Sequence, residues 1–230
     1  MTIAALIVAA GRGSRMGAAR PKALLPIAGI PMLARAVAPF ASHPRIARVV
    51  AVVADPDEAR AALGPGAAGV ILVRGGAERQ DSVRLGLRAA GDAGILLVHD
   101  AARPRVPRRV IDDVLQGAIR HGAAIPAIPV ADTVKRVARG AVTGTVPRDD
   151  LRLAQTPQGF RAEILRDAYD RAQRDRFRGT DDASLVEHAG GRVVVVEGSE
   201  RNLKVTRPAD LELAEALLRA APDDAGEPDA

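Results

Sequence analysis

The sequence predicts an α/β fold: a doubly wound, mostly parallel Rossmann-like sheet in three αβα layers, with a β-hairpin arm protruding from it. Three observations carry this reading. Short continuous apolar runs rich in Val, Ile and Leu recur along the chain, helix-length amphipathic stretches separate them, and the alternation breaks once, between residues 131 and 160. Strands that read as unbroken apolar runs are buried on both faces, and crossover helices are what covers them.

Residues 3–9 predict the first strand; the apolar stretch of residues 1–10 around it is too short to span a bilayer. Further strands are expected at 46–53, 69–73, 95–98 and 123–128, and helices at 32–41, 57–63, 82–90 and 107–121. Residues 133–137 and 141–146 are β-prone and joined through Ala138-Arg139-Gly140, a turn-compatible linker, which predicts the hairpin arm. Helices at 161–174 and 182–189, a strand at 192–197 and a helix opening at Pro208 then restore the α/β rhythm. Proline suits a first helical turn, where its missing N–H would lack a partner anyway. Residues 1–221 are expected to form a single domain with 131–155 as its arm, and the acidic, Pro- and Gly-bearing residues 222–230 a frayed tail.

Composition narrows the function. Aromatic residues make up only 2% of the 230, so the interior must be aliphatic and a base-stacking platform for nucleic acid is disfavoured. The net charge of +5 is spread without a run of five like charges, which suits a phosphorylated small molecule better than a polyanion or a membrane. There is no cysteine, which excludes disulfides, thiolate nucleophiles and zinc–cysteine sites and agrees with a cytoplasmic setting. Lysine occurs only at Lys22, Lys135 and Lys204 among 33 Lys and Arg residues, marking places where a compact, mobile ammonium is needed.

Directly after the first strand comes Ala9-Ala10-Gly11-Arg12-Gly13-Ser14-Arg15-Met16-Gly17, with Pro21-Lys22 shortly after. Glycines let the backbone turn its N–H groups to a phosphate, and small alanines let a nucleotide lie against the main chain. A dinucleotide fingerprint would place glycine where Met16 stands and an acidic residue about 20 positions on, but Asp55 is the first acidic residue in the chain. A P-loop would follow its lysine with Ser or Thr, and Lys22 is followed by Ala23. What remains is a glycine turn carrying its own cations, Arg12, Arg15 and Lys22, which favours nucleotidyl transfer over cofactor binding because charge builds on the phosphate oxygens in the transition state.

That loop resembles the signature of nucleotidyltransferases that activate sugars and polyols. Six further motifs narrow the resemblance: Gly75-Gly76-Ala77-Glu78-Arg79-Gln80-Asp81-Ser82-Val83, His99-Asp100-Ala101-Ala102-Arg103-Pro104, Asp132-Thr133-Val134-Lys135, Thr156-Pro157-Gln158, Thr180-Asp181-Asp182-Ala183-Ser184 and Asn202-Leu203-Lys204-Val205-Thr206. Together, and in this order, they are similar to the 2-C-methyl-D-erythritol 4-phosphate cytidylyltransferase family across residues 3 to about 220.

The resemblance implies that Ala9, Ala10, Gly11 and Gly13 cradle CTP, that Gly76 and Ser82 read the cytosine, and that Asp100 and Ala101 lie beside the ribose. On its own terms Ser82 reads as a helix cap and Asp100 as a turn cap. Arg15, Lys22 and Lys204 match the family's catalytic cations, with Lys135 secondary on the arm. Thr133, Arg148, Thr180 and Arg103 match positions around the acceptor phosphate. Asp182 stands where many relatives carry Glu, which shortens the carboxylate. In the family the arm crosses to a second subunit, which implies a homodimer. The implied chemistry is in-line attack of the acceptor phosphate on the α-phosphorus of CTP, with Mg²⁺ or another divalent cation on the phosphates and its protein ligands unassigned. Ribitol 5-phosphate as acceptor, a uridylyl- or guanylyltransferase, and a non-catalytic nucleotide-binding protein stay open as alternatives at this point.

Overall fold

The computed structural model describes residues 1–11 and 21–220. The expectations for Arg12, Gly13, Arg15 and the 222–230 tail lie outside the described residues.

Strand β1 (Ile3–Ala9) is followed by a 3-10 turn at Lys22–Leu24, a small ribbon of β2 (Pro26–Ile27) and β3 (Ile30–Pro31), and helix α1 (Met32–Ala41). Next come β4 (Arg48–Val53), α2 (Pro56–Leu63), β5 (Val70–Arg74), α3 (Arg79–Ala89), β6 (Ile95–Asp100), α4 (Arg108–His121) and β7 (Ala123–Pro129). The arm is β8 (Val134–Ala138) and β9 (Ala141–Val146); after it stand β10 (Arg152–Ala154), β11 (Gln158–Arg161), α5 (Ala162–Asp175), α6 (Asp182–His188), β12 (Val194–Glu197) and α7 (Pro208–Ala220).

The main sheet has eight strands, with β1 between β4 and β6, parallel to both, and β5 parallel beyond β4. The chain therefore builds outward to β5 and then reverses to the other side of β1, and such a switch opens a crevice at the carboxyl ends of the strands. Beyond β6 the sheet becomes mixed. β11 runs antiparallel to both β6 and β7, and β10 continues antiparallel along β7. Ala124 pairs with both Gly159 and Val194, so β12 lies on the opposite edge of β7 from β11.

The period of two along a strand distributes the core between the two helical layers. Ala5 and Ile7 of β1 with Leu97 of β6 face Leu33, Phe40 and Val114 from α1 and α4. Their neighbours Ala4, Leu6, Leu96 and Val98 face Val83, Leu87, Leu165, Tyr169 and Val186 from α3, α5 and α6. All of these side chains are buried, and each Leu or Ile so placed stabilises the fold by roughly 1.5–3 kcal/mol. Helix α3 comes close to the sheet because Gly86 stands at the contact: a β-carbon there would lie 2.6 Å from Leu6 and 2.9 Å from Val52.

In the arm, Arg139 and Gly140 take φ of 48° and 80°, the pair of left-handed residues that a type I′ hairpin turn requires. Val137 and Val142 are cross-strand partners in it and are 57% and 63% exposed, an apolar pair left uncovered on a single chain.

Three local expectations are corrected. The α3 helix starts at Arg79 with Glu78 as its cap, in a reciprocal box with Asp81, so Ser82 lies inside the first turn and caps nothing. His99 and Asp100 are the last residues of β6, because its pairing with β1 runs on to Val8. β10 and β11 are strands in a stretch where the sequence pattern predicts none. The β10 segment pairs with β7 in the main sheet, and the separate two-stranded ribbon consists of β8 and β9.

Candidate active site

The carboxyl ends of β1, β5 and β6 carry three of the sequence motifs side by side. Gly75 is packed so tightly there that a β-carbon on it would lie 2.3 Å from the Ala10 Cβ and 2.8 Å from Ser82 Oγ. Gly76 donates its N–H to Ser82 Oγ at 3.1 Å, and that hydroxyl donates onward to the Glu78 carbonyl at 3.0 Å. The structure thus gathers Ala9, Ala10, Gly76 and Ser82 at one edge, with Gly11 following them. Ala101 is tied in by its N–H to the Val8 carbonyl at 3.0 Å.

Charge concentrates next to it. Asp100 receives Arg79 on Oδ1, from Nε at 3.1 Å and Nη2 at 3.0 Å, and Lys204 on Oδ2 at 2.7 Å. Burial alone would raise the Asp100 carboxyl, but the two cations override it and hold it well below the usual carboxylate range. Arg79 reaches further, donating Nη2 to Asp182 Oδ2 at 2.7 Å, while Tyr169 donates its hydroxyl to Asp182 Oδ1 at 2.6 Å. Desolvation works against the Arg79 cation, yet Asp182 and Asp100 push its proton affinity above the ordinary guanidinium value. Lys22, distant in sequence, donates its ammonium to the carbonyl of Val205, the residue after Lys204. Lys22, Lys204 and Asp100 therefore occupy one cluster.

A second network holds the Lys204 segment in place. His99 is fully buried, and desolvation pushes its pKa down to about 4, so the ring is neutral. Its partners assign the tautomer: Nε2–H donates to the Arg103 carbonyl at 3.0 Å, and Nδ1 accepts from Thr156 Oγ1 at 3.1 Å. Thr156 Oγ1 in turn accepts the Asp100 N–H at 3.0 Å. Asn202 donates to the Thr156 carbonyl at 2.8 Å, Gln155 donates to the Ser199 carbonyl at 2.8 Å, and Val205 donates its N–H to the Ala102 carbonyl at 2.8 Å. Arg103 is buried, its pKa pulled down to about 10 by desolvation, and it donates to the carbonyls of Asn202 at 2.6 Å and Ala154 at 3.3 Å. Its Nη donors face backbone.

The acceptor candidates are less gathered. Thr180 is exposed just before Asp181, the residue that caps α6. Its loop is gripped by Gln80, which donates to the Phe177 carbonyl at 3.3 Å and accepts the Gly179 N–H at 3.4 Å. A cavity of about 440 Å³ opens between this loop and the start of α3, lined by Arg79, Gln80 and Tyr169. Thr133 and Arg148 are exposed at the base of the arm, Arg148 donating to the Ala131 carbonyl, and among the described residues no hydrogen bond ties them to Lys204 or Asp100.

Sequence reasoning named the motifs around Arg79, Thr156, Gln155 and Asn202 but gave these residues no role. No cluster of three or more His, Asp or Glu side chains suited to a metal exists among the described residues. No described helix is long and apolar enough to cross a membrane.

Comparison with known proteins bears on the family and the fold. The family model described as IspD, 2-C-methyl-D-erythritol 4-phosphate cytidylyltransferase, matches residues 3–220. A cytidylyltransferase of that name from Syntrophotalea carbinolica is 44% identical over 95% of this chain and 97% of its own, and one from Frankia casuarinae is 48% identical over 94% and 81%. Among solved structures, the 2-C-methyl-D-erythritol 4-phosphate cytidylyltransferase of Thermus thermophilus superposes with a TM-score of 0.80 at 38% identity, covering 93% of this chain and 98% of that one. That of Francisella tularensis superposes with a TM-score of 0.83 at 30% identity, covering 95% and 100%.

Proposed function

Because the chain belongs to the 2-C-methyl-D-erythritol 4-phosphate cytidylyltransferase family, we propose that the Lys22, Lys204 and Asp100 cluster is where it brings the acceptor phosphate and the α-phosphate of CTP together. The enzyme transfers a cytidylyl group from CTP to 2-C-methyl-D-erythritol 4-phosphate in the non-mevalonate route to isoprenoid precursors. The observation that carries the assignment of residues is the contact between two segments 182 positions apart, the Lys22 ammonium donating to the backbone carbonyl of Val205, next in the chain to Lys204.

In this reading Ala9, Ala10, Gly11 and Gly13 cradle the triphosphate, Gly76 and Ser82 contact the cytosine, and Asp100 and Ala101 flank the ribose. The acceptor is a phosphate monoester already ionised near neutral pH, so no general base is required. Its oxygen attacks the α-phosphorus, the bond to the bridging oxygen breaks, and pyrophosphate leaves with that electron pair. An ammonium has three donors. Asp100 takes one from Lys204 and orients it, leaving two for phosphate oxygens as charge develops. Lys22 adds positive charge there, and the family resemblance gives Arg15 the same role. Thr180 binds the acceptor phosphate, and Arg103 supports it through the Asn202 segment that its guanidinium holds.

A divalent cation, Mg²⁺ above all, is part of the same proposal. The donor set suits one carried mainly by the triphosphate, since among the described residues Asp100 is the carboxylate that holds Lys204 and no cluster of three or more His, Asp or Glu side chains is present, and Mg²⁺ keeps waters and substrate oxygens by preference. Bound there it would neutralise phosphate charge. We also read the arm as the contact of a homodimer in which Thr133 and Arg148 complete the partner subunit's site. The exposed Val137 and Val142 pair and the exposure of Thr133 and Arg148, with Arg148 bonded to the arm's own backbone at Ala131, support this. Substrates that are charged and membrane-impermeant suit a cytoplasmic enzyme.

The test is pyrophosphate release from CTP with 2-C-methyl-D-erythritol 4-phosphate. Lys22→Ala and Lys204→Ala each keep the fold and lose about 10²–10³ in kcat, by analogy with removal of one oxyanion donor. Near-normal turnover of either variant refutes that lysine's role, and faster turnover of ribitol 5-phosphate by the parent refutes the acceptor.

A further inference from the structure

Beyond the cluster itself, the Tyr169 hydroxyl begins a line of alternating charge that ends at the Lys204 ammonium. Asp182 is fully buried, and each of its oxygens accepts one short hydrogen bond: Oδ1 from Tyr169 at 2.6 Å and Oδ2 from Arg79 at 2.7 Å. Arg79 Nη2 lies nearer to Asp182 than to Asp100, 2.7 Å against 3.0 Å, so the guanidinium is anchored on the buried side and presented to Asp100 from there. Asp100 then holds Lys204 at 2.7 Å. The phenol stays protonated, because burial and the neighbouring Asp182 raise its pKa well above the ordinary value, and it remains a donor at every pH the enzyme meets.

We propose that Tyr169 and Asp182 are positioning residues for nucleotidyl transfer, fixing Arg79 so that Asp100 aims the Lys204 ammonium at the reacting phosphate. Neither touches substrate in this arrangement; both act through Arg79. Without the phenol, Asp182 Oδ1 becomes a buried carboxylate oxygen with no donor, which is costly. Arg79 is the cation at hand, and a guanidinium satisfies two carboxylate oxygens at once as a fork. It turns toward Asp182, releases Asp100 Oδ1, and the Asp100–Lys204 pair loses its bearing. The inference rests on the reading that Lys204 faces the α-phosphate.

The experiment is steady-state pyrophosphate release by the full chain, at temperatures well below each variant's own unfolding midpoint. Tyr169→Phe, which removes one oxygen, is expected to lower kcat about tenfold while KM for CTP and for 2-C-methyl-D-erythritol 4-phosphate stays within about twofold, the pattern of an interaction expressed in the transition state. Asp182→Asn is expected to do the same, and the double variant to be no slower than Asp182→Asn alone within about twofold, because both substitutions break one connection. A folded Tyr169→Phe enzyme with unchanged kcat overturns the proposal, as does a double variant in which the two losses multiply. Should Tyr169→Phe fail to fold, the isosteric Asp182→Asn decides in its place: lowered kcat at intact KM supports the line of contacts, unchanged kcat overturns it. Lys204→Ala run alongside separates the two levels. If it is active, the assignment of Lys204 fails and this inference with it; if it is inactive while Tyr169→Phe is normal, only the positioning role falls.

Discussion

Replacing Gly75 by alanine tests the packing that makes the nucleotide edge. The added methyl would sit 2.3 Å from the Ala10 Cβ, against the roughly 3.5 Å at which two carbons rest in contact. About 1.2 Å of separation must therefore be found. Ala10 Cβ is bonded to the main chain and has no rotamer to escape into, and Ser82 Oγ, 2.8 Å away, holds Gly76 N–H and the Glu78 carbonyl. The end of β1 and the start of α3 must move apart, and both carry CTP contacts in the proposed reading. Overpacking of this kind costs about 1–3 kcal/mol. If most of that strain is relieved only when the edge opens, it reappears as weaker CTP binding by roughly 5- to 100-fold. Calorimetric titration of CTP and the thermal unfolding midpoint measure the two halves of that cost. Unchanged CTP affinity together with an unchanged midpoint refutes the reasoning, since the methyl would then have found room that the packing denies it.

Other expectations follow from the same contacts. His99 has a folded pKa near 4 because of burial, against roughly 6.5 in an unfolded chain. Its neutral form therefore contributes stability that is complete above the unfolded value and is lost as pH falls from about 6.5 toward 4. Denaturant melts of the parent and His99→Gln should show a stability gap that narrows across that window, and a gap independent of pH contradicts the burial argument. Turnover losses of about 10²–10³ in Lys22→Ala and Lys204→Ala, read by pyrophosphate release, test the two lysines. The arm makes a complementation experiment available. Mixing Arg148→Ala with Lys204→Ala, each inactive alone, should restore part of the activity if Arg148 serves the neighbouring subunit, and persistent inactivity of verified mixed dimers argues for a site built within one chain.

How much of this was legible in the sequence depended on whether the signal was local. β1, α1 and β9 start and stop where their residue patterns say, since an unbroken aliphatic run or an amphipathic period is a property of neighbours along the chain. β11 was invisible for the opposite reason. Gln158-Gly159-Phe160-Arg161 has no strand pattern, and its glycine is there because a β-carbon would lie 2.7 Å from Val114 and 3.1 Å from Leu97. It is a strand because a slot between β6 and β7 accepts it. The α3 start was misplaced because serine is the stronger cap by propensity, whereas Glu78 and Asp81 satisfy each other's backbone groups in a box that composition does not announce. The motifs of the site could be named from the sequence, with Lys22, Lys204 and Asp100 among them. That Arg79 joins Asp100 to Asp182, 21 and 103 positions away, is a statement about tertiary distance that no spacing rule contains.

The antiparallel insertion of β11 bears on how the molecule is made. β6 and β7 share no ladder; β11 lies between them and bonds to each. A polypeptide emerging from the ribosome in order completes β7 some thirty residues before the piece that ties it to the rest of the sheet. Until then the outer edge of β6 presents bare peptide groups, the kind of surface that recruits strangers. The keystone is laid after the stones on either side of it, and the join between β6 and β7 waits on a stretch whose side chains signal no strand at all.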